Sequence, residues 1–458
     1  MDFNHPPTNF NLKPQDFGKD FVFGVSTAAY QIEGAHSIHD KGASIWDQFT
    51  AKKGNTFNNH HGQIACDFYN KFEEDILLMK SMNIKNFRFS LAWSRIIPNG
   101  IGNVSQAGID YYNKVIDFCL ACGITPWVTL YHWDLPQALQ NKGGWTNRDI
   151  VSWFENYVQV CATHFGDRVK NWMVLNEPMV FTGAGYFLGV HAPGYKGLKN
   201  FLPAIHHAVL CQAAGGRILR NLVSDAFIGT TFSCAQTTPF RDTPRDFKAA
   251  KKADALLNRL FVEPSLGLGY PTDDVHILKR IEAYIKPNDL KNAAFDFDFI
   301  GVQNYTREMI THSYLVPYLQ AKIVKASKRN VKTTLMNWEV YPPSIYNMIK
   351  QFNQYEGIKK IIITENGAAF PDTLMNGNVE DVDRLHYLQS HLEQVYKAKN
   401  EGIPIEGYFV WTFTDNFEWA EGYHPRFGLV YTDFESQKRI IKASGKWYRD
   451  FLNKHKNS

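Results

Sequence analysis

The sequence predicts a single (β/α)8 barrel domain over residues 1–458, with loop insertions at its C-terminal mouth. Three observations predict it. Short apolar strands alternate with longer stretches of helical spacing. The strands number eight. Acidic, amide and aromatic residues collect where those strands end, which is where a barrel keeps its chemistry.

The candidate strands are 21–27, 86–93, 125–132, 172–176, 227–233, 299–305, 361–365 and 407–414. Each is rich in β-branched or aromatic residues and bounded by turn formers. The intervening stretches carry helical period. In "DFYNKFEEDILLMKSMNI", Phe68, Phe72, Ile76 and Met79 share one face with charges opposite. "QAGIDYYNKVIDFCLACGI" closes on Gly123, a helix-ending signal. No Gly-rich dinucleotide loop follows the first strand, which argues against a doubly wound open sheet. The long connections, 234–297 and 306–360, read as loop insertions shaping the mouth rather than as a second domain.

Composition narrows the partners. Hydrophobic residues make up 44% of the 458, enough for a large core. Aromatics, at 14%, suit a site that stacks on rings. The formal net charge is only +4 with no long basic stripe, so nucleic acid is not an expected partner. No apolar run approaches a membrane span, and the N-terminal residues lack a basic start followed by an apolar core. No membrane partner or targeting segment is expected. Cys66, Cys119, Cys122, Cys161, Cys211 and Cys234 sit in apolar or helical contexts. They read as buried free thiols in a reducing, cytoplasmic compartment. His60-His61 and His206-His207 are adjacent pairs whose side chains diverge, so neither a metal nor another cofactor is expected. Nothing in the sequence sets an oligomeric state.

The strand ends carry the chemistry. Strand one leads to Gln31 and Glu33, and strand two carries Arg88 between Phe87 and Phe89, on the opposite face from both. Strand three ends at His132-Trp133, and strand four at Asn176-Glu177. Strand six ends Gln303-Asn304-Tyr305. Strand seven, "IIITENG", runs from three isoleucines into Glu365, and strand eight leads through Trp411 to Glu418-Trp419. Strands four and seven lie three steps apart in a ring of eight, so Glu177 and Glu365 can face one bond from opposite sides. Two opposed carboxylates with amides and aromatic platforms suit glycoside hydrolysis. One must donate a proton while the other stays ionised, and Arg88 is placed to hold one of them charged.

These residues stand in motifs. "FVFGVSTAAYQIEG", "NFRFSLAWSRIIPNG", "YHWDLP", "LNEP", "ITENG" and "DNFEWAEGY" with "RFGLVYTDF" follow in register over nearly the whole chain. In this the sequence closely resembles glycoside hydrolase family 1, the β-glucosidase family. The resemblance implies a retaining, exo-acting β-glucosidase acting on small β-glucosides or oligosaccharides, with a role in cellulose breakdown. It makes Glu177 the acid/base and Glu365 the nucleophile that forms a covalent glycosyl-enzyme. It assigns Asn176 to the sugar's 2-hydroxyl, and Gln31, His132 and Glu418 to the others. Trp411 and Trp419 become the platform and wall of the sugar pocket, and Arg88 and Tyr305 steady Glu365. One departure stands out: alignment on Gly301 and Tyr305 puts Gln303 where many family members have Asn, with Asn304 beside it.

Three rivals follow. A 6-phospho-β-glycosidase would want cations near the 6-position, where the resemblance puts Glu418. A thioglucosidase-like enzyme would lack the acid/base that Glu177 supplies. A silent sugar-binding barrel would have no use for both carboxylates. Glucose, galactose and fucose glycones all remain compatible with these residues.

Overall fold

The structure is a computed structural model and describes residues 10–454. The expectation of no targeting segment concerns in part residues 1–9, which lie outside the described residues. Eight parallel strands close into a barrel: β1 (Val22–Ser26), β2 (Asn86–Ser90), β3 (Thr125–Tyr131), β4 (Asn171–Asn176), β5 (Phe227–Ser233), β6 (Phe299–Gln303), β7 (Ile361–Asn366) and β8 (Ile405–Trp411). Each pairs with its neighbours in chain order, and β8 returns to β1 with Val22 opposite Gly407. The expected strands are all present: several end earlier than expected, while β4 and β8 begin earlier and β7 runs one residue further. β2 stops at Ser90 because Trp93–Ile96 forms a short helical turn, and His132 and Tyr305 lie just beyond β3 and β6.

Helices follow the strands around the ring: α1 (Phe68–Ser81), α2 (Gln106–Ala121), α3 (Ile150–Phe165), α4 (Leu198–Leu222), α5 (Pro244–Asp254), α6 (Pro343–Phe352), α7 (Val382–Asn400) and α8 (Ala443–Asn453). α2 shows how the sequence sets its ends. The Ser105 hydroxyl accepts from the Gly108 N–H at its start, and Gly123, just past its end, takes a positive φ of 69°. None of the helices among the described residues is long and apolar enough to cross a membrane.

The strands are buried on both faces. Inside the barrel, Trp127, Met173, Phe299, Ile362 and Phe409 pack into a plug below the mouth. Outward-facing residues, including Phe87, Phe89, Ile361 and Ile363, join the large core under the helices. The isoleucine run of β7 therefore feeds both layers. Arg88, flanked by Phe87 and Phe89, points inward as the alternation requires.

The two long insertions carry secondary structure of their own, where the sequence suggested loops. Gln236–Pro239, Arg307–His312 and Ala321–Ile323 form a three-stranded sheet that joins one insertion to the other. α5 covers this sheet through Ala249, Ala250 and Ala253 against Ile310 and Ala321. All six cysteines are buried and free.

Candidate active site

Two strand ends break the two-residue alternation, and both breaks aim a carboxylate inward. On β4, Met173 faces the barrel interior while Val174 and Leu175 both face the outer core. The ladder to β5 shifts between Met173 and Asn176, which restores an inward direction to Asn176. Glu177 then takes a left-handed φ of 47°, and Pro178 starts the next helix. On β7, alternation from the inward Ile362 would send Glu365 outward. Ladders to β6 and β8 both shift register beyond Ile363, and Glu365 turns into the mouth. The Asn-Gly that follows is structural. Asn366 donates to the Asn304 carbonyl at 2.6 Å and accepts from Tyr408 Oη at 2.6 Å. A Cβ at Gly367 would stand 1.8 Å from the Trp411 carbonyl oxygen, so only glycine lets β8 approach there.

Glu365 is 3% exposed and held by three donors. Arg88 Nη1 and Gln303 Nε2 (2.8 Å) donate to Oε1, and Tyr305 Oη donates to Oε2 at 2.7 Å. Arg88 also donates through Nη2 to Asn176 Oδ1 at 2.5 Å. That oxygen further accepts from Thr231 Oγ1 (2.9 Å) and Gln303 Nε2 (2.8 Å). Three donors on one oxygen fix which way the Asn176 amide faces. Its Nδ2 must then donate to His132 Nε2, 2.9 Å away. His132 is accordingly neutral with its proton on Nδ1. Burial, then the charge of Arg88, lowers its pKa well below the usual imidazole range. The Nδ1–H has no protein partner, which leaves it free for a hydroxyl.

Glu177 is buried with less support. Ser233 and then the charge of Arg88 favour its charged form, but neither outweighs its surroundings. Burial, then the charge of Glu365, pushes its pKa well above the carboxylate range. Burial raises Glu365 too, but Arg88 and Tyr305 oppose it. The pair thus divides: Glu365 ionises first and Glu177 keeps its proton longest. Beside them, Glu418 accepts from Gln31 Nε2 at 3.3 Å. Burial, followed by the charge of Glu365, pushes Glu418 up to about 8.

Glu177, Glu365, His132, Tyr305, Trp411, Glu418 and Trp419 all line one cavity of about 580 Å³ at the C-terminal end of the barrel. Gln31, Arg88 and Asn176 stand directly behind this wall, each bonded to a residue that lines it. Trp411 and Trp419 flank His132 with ring centroids at 5.9 and 6.0 Å. No Lys or Arg among the described residues lines the cavity, whereas five glutamates do: Glu177, Glu308, Glu365, Glu418 and Glu421.

Two further residues belong here. Gln303 bridges Glu365 and Asn176, so the longer amide reaches both carboxylate and neighbour. Asn304 instead binds the Cys234 and Thr306 carbonyls and Ser344 Oγ, away from the cavity. Trp133, inside the YHWDLP motif, donates to the Asn176 carbonyl at 2.9 Å and packs on Trp419 at 4.6 Å. Glu33 bonds Arg95 and Tyr112 in a buried cluster outside the cavity. No group of three or more His, Cys, Asp and Glu among the described residues could hold a metal ion. His206 bonds Tyr270 and Asp289, and His207 bonds the Trp145 carbonyl.

The sequence pattern described as "Glycosyl hydrolase family 1" matches residues 13–457. A 1,4-beta-D-glucan glucohydrolase of Thermotoga neapolitana is 42% identical over 95% of this chain and 98% of its own length. Beta-glucosidase A of Thermotoga maritima is 41% identical over 96% and 98%. A 6-phospho-beta-galactosidase of Clostridium acetobutylicum is 32% identical over 95% and 96%. The solved family 1 β-glucosidase of T. maritima superposes with a TM-score of 0.92 at 40% identity, covering 95% of this chain and 98% of that one. The T. maritima enzyme has also been solved with deoxynojirimycin and with glucoimidazole. With the barrel, the paired strand-end carboxylates and this agreement along the whole chain, the protein belongs to glycosyl hydrolase family 1.

Proposed function

We propose that this family 1 glycosyl hydrolase is a retaining, exo-acting β-glucosidase working as one domain on small β-glucosides. One observation carries the reading: two buried glutamates at the ends of β4 and β7 share a cavity yet differ in the donors on their oxygens, so that burial raises Glu177 further than Glu365. Glu365, with Arg88, Gln303 and Tyr305 around its oxygens, is the group to stay ionised and attack the anomeric carbon. Glu177, held protonated by burial and by the charge opposite, is the group to protonate the leaving oxygen. Departure of the alcohol leaves Glu177 as carboxylate. It then takes a proton from water, whose oxygen displaces Glu365 from the sugar. The double inversion retains configuration and requires the carboxyl groups to stand roughly 5–5.5 Å apart.

The roles at the sugar follow from free hydrogen-bonding capacity. Asn176 Nδ2 has a second hydrogen for the 2-hydroxyl, His132 offers Nδ1–H, and Gln31 Oε1 has no protein partner. Trp411 and Trp419 supply apolar surface for the ring face. The rival 6-phospho reading loses ground because no Lys or Arg among the described residues lines the cavity and Glu418 stands among acidic neighbours. The buried free thiols support a reducing, cytoplasmic setting.

The test is to trap the intermediate. An activated 2-deoxy-2-fluoro-β-glucoside should label Glu365, found as a mass shift on the peptide containing it. A label elsewhere overturns the nucleophile. Absence of a label with glucose, alongside one with a 6-phosphoglucose analogue, overturns the substrate class.

A further inference from the structure

The adjacent pair His60 and His61 reaches the segment that carries two residues of the sugar pocket. Beyond β8 the chain makes one tight turn, with Trp419 and Gly422 at left-handed φ of 51° and 61°. The Glu418 N–H donates to the Gly422 carbonyl at 2.7 Å and closes it. Glu418 and Trp419 line the cavity from this turn. On the inner side, Gln31 Nε2 donates to Asn416 Oδ1, to the Phe417 carbonyl and to Glu418. The last of these bonds is long, at 3.3 Å, so the place of the carboxylate depends on the backbone beneath it.

The outer side of the turn is held by the loop between β1 and α1. The Tyr423 N–H donates to His60 Nδ1 at 3.1 Å, and Tyr423 Oη donates to the His61 carbonyl at 2.8 Å. The His60 and Tyr423 rings pack at 5.2 Å. The fit leaves no slack: a Cβ at Gly422 would stand 2.5 Å from His60 Nδ1. The loop that presents His60 is itself braced. The His60 carbonyl accepts from Thr56 Oγ1 at 2.7 Å, and Asn59 Oδ1 accepts from the Gly54 N–H at 2.8 Å.

A backbone N–H can only donate. His60 Nδ1 is therefore the acceptor, the ring proton sits on Nε2, and the ring is neutral. Burial, then His61 beside it, lowers the His60 pKa from its ordinary value, which favours this form. His60 does not line the cavity, so whatever it does for the sugar passes through the turn. Resting on the β-glucosidase reading above, we propose that His60 is a positioning residue for sugar recognition: its Nδ1 fixes the turn that presents Glu418 to the 6-hydroxyl.

The experiment compares p-nitrophenyl β-D-glucoside with its 6-deoxy counterpart. The two share leaving group and ring, so the ratio of their kcat/KM reports the contact to the 6-hydroxyl. His60→Leu removes the acceptor and should lower this ratio by about three- to tenfold. His60→Asn puts Oδ1 close to where Nδ1 stands and should restore it. Tyr423→Phe removes the bond to the His61 carbonyl and keeps the ring. It should lower the ratio by less, and it decides the matter if His60→Leu fails to fold. Equal losses on both substrates make His60 a stability residue and overturn the proposal, as does an unchanged ratio. Asn behaving like Leu overturns the acceptor role. A wild-type ratio near one overturns the proposal too, because Glu418 would then not read the 6-hydroxyl. If the wild type cleaves neither glucoside, the β-glucosidase reading itself falls, and this inference with it.

Discussion

Glu177 and Glu365 are the same residue type, both buried, both at strand ends broken by a register shift, and both on one cavity. They differ in what touches their oxygens. Glu365 has a guanidinium, an amide and a phenol, while Glu177 has none of these on its oxygens and feels the repulsion of its partner. Chemistry here is assigned by neighbours: burial raises both carboxyls, and the one with the closer donors is held lower than the other.

The most severe way to break the contrast is Glu365→Gln. It removes the attacking oxygen and should lower kcat/KM by roughly 10⁴-fold or more, with circular dichroism and melting unchanged. It should also sharpen the contrast, because the charge of Glu365 helps raise Glu177. In that variant the Glu177 pKa should fall, which carboxyl ¹³C NMR titration reads directly. A Glu177 pKa that stays put would mean burial acts alone.

Glu177→Gln comes next. Removal of the acid should cost roughly 10²–10⁴-fold on alkyl glucosides and much less on a dinitrophenyl glucoside, whose leaving group needs no proton. The wild-type pH profile of kcat/KM should be a bell. Activity rises as Glu365 ionises and is lost as pH climbs through the raised pKa of Glu177. The Gln variant should lose the alkaline limb and keep the acid one. Equal damage to both substrates would remove Glu177 from the acid role.

Tyr305→Phe takes one donor from Glu365 Oε2. A hydrogen bond to a charged group is worth about 1.5–3 kcal/mol, so the loss should be about ten- to a hundredfold. Since that bond lowers the Glu365 pKa, the acid limb should move to higher pH. An unmoved limb would make Tyr305 a packing residue. The mildest change is Gln303→Asn. The shorter amide can keep one of the two bonds, to Glu365 or Asn176, but not both at present spacing. A reduction of under about tenfold is expected, and a rise in activity would show that Gln303 restrains the site.

The barrel, its strand order and the identity of the two glutamates were legible because each lies in local sequence. Apolar runs give the strands, and a carboxylate ending an isoleucine run is conspicuous. What local sequence hid was direction. Counting in twos from Ile362 sends Glu365 outward, and only a slip in both flanking ladders corrects it. The same limit applies to Gln303 and Asn304. Adjacent amides on a strand point opposite ways, and which one reaches Glu365 depends on neighbours far along the chain. Trp133 was in plain view, but its bond to the Asn176 carbonyl is made in space. The apolar part of the cavity wall was invisible for a stronger reason. It is assembled from segments after β4, β5 and β6, none of which has a distinctive pattern by itself.

The small sheet that joins the two insertions has a bearing on how such enzymes can be recombined. Gln236–Pro239 lies in ladder with Arg307–Ile310, so neither insertion is an independent module. A chimera that imports a relative's 234–297 segment alone makes Arg307–Ile310 pair with a strand from another parent, and a mismatch there would leave an open backbone edge. Importing both segments together keeps the ladder intact. The two segments are therefore best exchanged as a matched pair, which carries both sides of the ladder across together.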